Sequence, residues 1–343
     1  MFESDDMRKL ADEYKAIIRR FERSLKPPPT GLLLAHYTTA ETLKKIIESN
    51  EIWMSHPFNM NDFEEMRFGI DMGKNIFRDY CYSSEIPKHK SDLMFRKFLS
   101  AEQYMYQQTI LDHYVLCFAE HSADDKDGSL PMWRSYGDGG HGAAIIFDPS
   151  KYPKDRNHHL RIRKVIYGSA SDRENRLVKI LEEWQKKTIE IHENYPERYL
   201  FIAAHLAFFL IKKFSLITKH IGFSPENEWR MIYSSDLDPA GIFKDLTSYN
   251  IGPRGFEPKL KLNVLDYNNS INKYNDLYLV KSNKTNLSPL QIKLADVVDS
   301  ILLGPSMDSQ LARHSFLRAI KGTDFEKLSD KVYASTIPLR PSK

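Results

Sequence analysis

The stretch that decides the reading is 32–55, LLLAHYTTAETLKKIIESNEIWMS. An apolar strand over 32–35 runs straight into His36-Tyr37-Thr38, a short helix follows, and 52–55 reads as a second strand. Thr38-Thr39-Ala40-Glu41 fits a capping box, in which a Thr hydroxyl and the Glu carboxylate take up free amides of the first turn. Leu43, Ile46 and Ile47 then fall on one helical face and Lys44, Lys45 and Glu48 on the other, with a stop near Asn50. Strand ends hold side chains rigidly, which makes His36, Tyr37 and Thr38 better site candidates than the same residues in a loop.

Outward from this stretch, strands are expected at 114–118, 143–147, 161–167, 229–233, 259–265, 277–281 and 299–303. Helices are expected at 4–24, 63–80, 91–110, 171–194, 197–216 and 310–320. Strands come both singly and in runs, and the helices are unevenly inserted. That pattern predicts an α+β fold with a mixed, largely antiparallel sheet and inserted and flanking helices. The expected organisation is an N-terminal helical appendage ending in a stiff Pro27-Pro28-Pro29 spacer (1–29), one α+β domain (30–322) with helical insertions at about 63–110 and 171–217, and a tail (323–343).

Composition excludes several classes. A net charge of +3 over 343 residues gives no footing for a bulk polyanion binder, and 41% hydrophobic with 28% charged residues is ordinary for a globular protein. Two cysteines, Cys81 and Cys117, in so long a chain read as reduced thiols. The start, MFESDDMRKL, has no apolar signal core, so a cytoplasmic protein is expected. The apolar run 199–211 falls short of the ~20 residues a bilayer needs and ends on Lys212-Lys213, which predicts a buried helix with His205 as a hydrogen-bonded core residue.

Common catalytic signatures are absent: no GxxxxGK[ST], HExxH, CxxC or GxSxG. The run Gly137–Gly142 precedes a strand instead of opening a helix, so it reads as a turn that passes close to a ligand or another strand. Asp62, Glu64 and Glu65 could hold Mg²⁺ in a nuclease, but acids there read more readily as helix N-terminal charges. Pro225-Glu226-Asn227-Glu228 has a bland reading too, as a solvated loop with Trp229 as core anchor and Arg230 paired to an acid.

One ordered series remains: HYT at 36–38, Trp53-Met54-Ser55, Asn61-Asp62 with Glu64, LCF at 116–118, Met132-Trp133 with Tyr136, Glu228-Trp229-Arg230, and ILLGP at 301–305. It resembles a poorly characterised bacterial domain family associated with phage-defence loci, over about 30–305. That family in turn resembles a remote branch of the ADP-ribosyltransferase superfamily with a His-Tyr-Glu constellation. The resemblance implies NAD as cofactor, with Glu228, His36 and Tyr136 catalytic and His36, Tyr37, Thr38, Ser55, Trp133 and Tyr136 holding the dinucleotide; no metal is implied. His36 would bond the adenosine ribose, Tyr136 would stack on nicotinamide, and Glu228 would accept a hydrogen bond from the nicotinamide ribose. Ser55 would support either Glu228 or the ribose, and Glu226, two residues before Glu228, would orient an acceptor. A carboxylate fixed beside the ribose stabilises the oxocarbenium-like charge that develops as nicotinamide leaves. The implied activity is mono-ADP-ribosyl transfer to a protein or nucleic-acid acceptor by a toxin or phage-defence (abortive-infection) effector, with an antitoxin or other defence partner and no membrane. The competing expectation is a non-catalytic module that senses a nucleotide or phage component.

Overall fold

The structure is a computed structural model that describes residues 5–59, 63–82, 85–109, 113–151, 160–194, 196–235, 246–252, 255–262, 293–307 and 310–339. In chain order the regular elements are α1 (Asp5–Ser24), β1 (Leu33–Thr38), α2 (Ala40–Ser49), β2 (Ile52–Ser55), α3 (Phe63–Cys81), α4 (Lys88–Tyr104), β3 (His113–His121), α5 (Leu130–Ser135), β4 (Ala143–Phe147), β5 (Leu160–Lys164), β6 (Ile166–Gly168), α6 (Ala170–Asn194), α7 (Leu200–Ile217), β7 (Thr218–His220), β8 (Glu228–Ser234), β9 (Thr247–Gly252), β10 (Gly255–Leu262), α8 (Leu294–Val297), β11 (Val298–Leu303), α9 (Gln310–Ala319) and β12 (Val332–Ala334). The strand expected at 277–281 and Asp62 lie outside the described residues, as do the side chains of Glu64 and Glu65.

The chain divides into two compact units. One takes Met1–Pro27, Pro57–His113 and Arg163–Ser224; the other takes Pro28–His56, Tyr114–Ile162 and Pro225–Lys343. In the first, α7 packs against α1, α3, α4 and α6. It is apolar enough by length and composition to cross a membrane, yet 72% of its span is buried inside the protein. Close helix approach explains Gly69 and Gly73 on α3: a Cβ on either would lie 2.4 Å from Ser215 or Ile211 of α7. Trp184 packs between Tyr14 (5.7 Å) and Phe77 (4.9 Å), both rings tilted against it, so α1 belongs to the core of this unit. His205 departs from expectation. It sits on an exposed face of α7, where its ring bonds the Phe201 carbonyl one turn back at 2.9 Å.

The second unit is built on a ten-stranded sheet in the order β12-β11-β4-β1-β3-β2-β10-β9, with β8 on β3 and β5 on β8. The pairs β1–β3, β1–β4, β2–β3, β2–β10, β9–β10 and β4–β11 are antiparallel and β11–β12 is parallel, so the sheet is mixed and largely antiparallel. Strand alternation gives the sheet two different faces. One is a large core in which Leu34, Phe118, Ile145, Trp229, Met231 and Leu260 meet the buried side of α2. The other carries a smaller cluster, Leu33, Ala35, Tyr37, Ala144 and Ile146 under Met132 and Trp133 of α5, with Tyr136, Tyr333, Ile337 and Leu339 against it.

Two local expectations need correction. The helix cap of α2 is Thr39, whose hydroxyl accepts from the Thr42 amide at 3.1 Å, while Glu41 pairs with Lys45 at 2.7 Å instead of closing a box with Thr38. Thr38 cannot cap because it is still in β1, opposite Ala143. Residues 323–339 are not a simple tail either: Phe325, Leu328 and Val332 are buried, and β12 extends the sheet beside β11. The Gly137–Gly142 turn does approach another strand, the Gly304 amide donating to the Gly142 carbonyl at 2.9 Å.

Candidate functional site

His36 does not end its strand. It lies inside β1, half-buried, with Ile145 as its partner on β4. Alternation puts it on the face of Leu34 and Phe118, the latter 6.1 Å away edge-on. Its Nδ1–H donates to the Cys117 carbonyl at 2.9 Å, beside the point where the β1–β3 register ends at Ala35↔Ala119. The imidazole thus stands in for a missing ladder bond. Burial lowers its pKa below the usual 6.5, with the Cys117 carbonyl opposing that shift.

Glu228 faces the other way. Trp229, Met231 and Tyr233 of β8 point into the large core, so Glu228 and Arg230 project from the opposite face. Both are buried, and the guanidinium grips the carboxylate with two bonds of 2.7 and 3.1 Å. A forked pair of this kind is held strongly in register. The residue before it, Asn227, has a positive φ of 42°, a conformation Asn tolerates better than most side chains. Its carbonyl accepts from the Glu120 amide at 3.0 Å, and Trp229 Nε1 donates to the Glu120 carboxylate at 3.1 Å. The left-handed turn at Asn227 redirects the chain, so Glu226 and Glu228 meet different neighbours.

Glu226 accepts the Tyr136 hydroxyl at 3.0 Å. The two residues are 90 positions apart, both half-buried, and the Tyr136 ring lies against the smaller cluster. Beneath it Trp133 is fully buried and meets Tyr37 edge-on at 4.8 Å. Their polar atoms are taken: Trp133 Nε1 donates to the Asp127 carbonyl and the Ser129 amide donates to the Tyr37 hydroxyl, both at 2.7 Å. Burial pushes the Tyr37 phenol up to about 12. Trp133 and Tyr37 therefore support Tyr136 from below and offer no open ring to a nicotinamide. Thr38 is buried at the end of β1. Ser55 sits at the end of β2, paired across to Val115 of β3, with Lys259 Nζ donating to its hydroxyl at 3.1 Å.

The structure brings together Tyr136 with Glu226 and Glu228 with Arg230, and it separates all four from His36 by the thickness of the sheet. The bland reading of Trp229 as core anchor and Arg230 as the partner of an acid is what the structure has, although Glu228 is buried and not solvated. Sequence reasoning misses Lys259; its signal is a charged residue alternating with Leu260 and Leu262 in the strand expected at 259–265.

Fold and site together define an α+β sheet protein with an aromatic–carboxylate pair and a sealed carboxylate–guanidinium pair at the start of one strand. Residues 132–231 match the family described as "Protein of unknown function (DUF2971)". That span holds Trp133, Tyr136, Glu226, Glu228 and Arg230, and His36 and Ser55 fall outside it. Comparison with curated proteins and with solved structures gives no match.

Proposed function

We propose that this protein is an NAD-dependent mono-ADP-ribosyltransferase whose working surface is the Tyr136–Glu226 pair. The observation that carries this reading is the 3.0 Å bond from the Tyr136 phenol to the Glu226 carboxylate, an aromatic ring and an acid fixed side by side on a half-buried surface. Such a pair suits a nicotinamide riboside: the ring stacks on the base, and the carboxylate accepts a ribose hydroxyl and opposes the positive charge of the transition state. The glycosidic C–N bond breaks with its electrons leaving on nicotinamide. The acceptor nucleophile, on a protein or a nucleic acid, forms the new bond to the ribose and gives up its proton. Glu228, neutralised by Arg230, holds the strand start in place and is a positioning residue here. His36, which faces the core, plays no part in holding the dinucleotide at this surface. The wider role we infer is that of a cytoplasmic toxin or phage-defence effector, restrained by an antitoxin or another defence partner.

Incubating the purified full chain with NAD and candidate acceptors tests this by chromatography of free nicotinamide. Release above the uncatalysed background supports the reading, and none with any acceptor at saturating NAD overturns it. One observation favours a second reading, a nucleotide-sensing module without turnover: the acid that matches the transferase motif, Glu228, is already spent on Arg230. Calorimetric binding of NAD with no nicotinamide released distinguishes that case.

A further inference from the structure

The β2–β10 ladder carries a second cluster, on the face turned away from Met54 and Leu260. Its registers are Lys259↔Ser55 and Lys261↔Trp53, so two lysines, a serine and a tryptophan share one face. The Trp53 ring is 37% exposed, with its indole N–H held by Glu51 at 3.3 Å and the Lys261 ammonium over the ring at 4.8 Å. Lys259 donates to the Ser55 hydroxyl at 3.1 Å and pairs with Glu257 at 3.2 Å.

This is unlike an ordinary solvated sheet face. The Lys259 and Glu257 side chains keep only 14% and 11% of their exposure, so the lysine lies along the sheet with its ammonium held between Glu257 and Ser55. Since Lys259 donates to Ser55 Oγ, the hydroxyl proton of Ser55 must point elsewhere and is available to an incoming acceptor. An exposed indole beside two cations and an aimed hydroxyl has the chemistry of a base platform next to a phosphate clamp.

We propose that the β2–β10 face binds a phosphorylated nucleoside, with the base stacked on Trp53 and the phosphates held by Lys259, Lys261 and the Ser55 hydroxyl. Lys261 covers the indole in the unbound protein and swings onto the phosphate as the base takes its place. Glu257 holds Lys259 in position and competes with the phosphate for it, which keeps affinity moderate. The site does not depend on the Tyr136–Glu226 reading, because its test is binding and not turnover.

The test is calorimetry on the full chain with ADP, adenosine and inorganic pyrophosphate. ADP binds the wild type more tightly than adenosine or pyrophosphate does. Lys259→Met and Lys261→Met each lower ADP affinity roughly tenfold or more, the scale of a lost charge-assisted bond; Lys259→Met leaves adenosine unchanged, and Lys261→Met, which uncovers the indole, does not weaken it. Trp53→Ala weakens ADP and adenosine together. Lys261 and Trp53 are surface positions, so their variants keep the test open if Lys259→Met fails to fold. An oligodeoxyadenylate that displaces ADP assigns the ligand to a nucleic-acid strand, and failure to displace assigns it to a free nucleotide; the site stands in both cases. No ADP binding by the wild type, or unchanged ADP affinity in both Lys variants, overturns the proposal.

Discussion

The two faces of the central sheet treat polar groups in opposite ways. On the core face, His36 is drawn into the backbone ladder by the Cys117 carbonyl and surrounded by Phe118 and Ile145. On the other face, charge is kept: Glu228 with Arg230, and Glu226 with the phenol of Tyr136. A polar side chain inside a strand can thus be drawn into the backbone ladder or kept as a buried charged pair, and the face it takes separates the two. That is a matter of parity, and parity is fixed by register, not by residue type.

The largest way to break this comparison is Glu228→Ala. It takes the forked carboxylate from a buried guanidinium, and breaking such a buried pair should cost about 3–5 kcal/mol in urea unfolding. Glu228→Ala with Arg230→Met should recover much of that loss, and no recovery would show that the pair is not the stabilising unit.

Gly128→Ala acts on the layer under Tyr136. Gly128 has φ +73°, and an added Cβ would lie 2.7 Å from the Tyr37 hydroxyl. Thermal unfolding should show a loss of about 1–3 kcal/mol. A variant as stable as wild type would mean that the Tyr37–Ser129 bond does not hold this loop.

Acid should act on both faces, and more gently. His36 on the core face and His121 on the other both have pKa values lowered from 6.5, chiefly by burial, with Asp125 partly opposing the shift at His121. Below about pH 6.5 the unfolded chain takes up protons that the native state refuses, at about 1.4 kcal/mol per proton per pH unit. Stability is therefore full above that pH and falls as acid is added. Melting curves for His36→Gln and His121→Gln should each show a shallower acid decline; an unchanged decline in both would remove the burial argument. Smallest of all, Thr39→Ala removes the cap of the helix that closes the core face. It should cost about 1 kcal/mol and leave NAD binding untouched. Weakened NAD binding in that variant would tie the two faces together.

How much of this was legible in the sequence follows the same line. Periodicity placed α2 and β2 closely and the start of β1, because Leu43, Ile46 and Ile47 leave one inward side for that helix. The α+β class and most element positions were readable for the same reason. The site was legible only in part. Tyr136, Glu226 and Glu228 stand out as residue types, but the sequence does not show that a left-handed Asn227 parts the two acids, or that Arg230 closes on Glu228. His36 misled because an apolar run before a polar triplet looks like a strand end, whereas pairing with β4 carries β1 on to Thr38. The C-terminal strand was missed because Val332–Ala334 is too short to show alternation and depends on the exposed edge of β11.

Nicotinamide release measured side by side for wild type, Glu226→Gln and His36→Ala tests the account most directly. The account predicts a loss on the order of 10²–10³ for Glu226→Gln with its melting temperature unchanged, and near wild-type turnover for folded His36→Ala. A fully active Glu226→Gln beside a folded but inactive His36→Ala would contradict it.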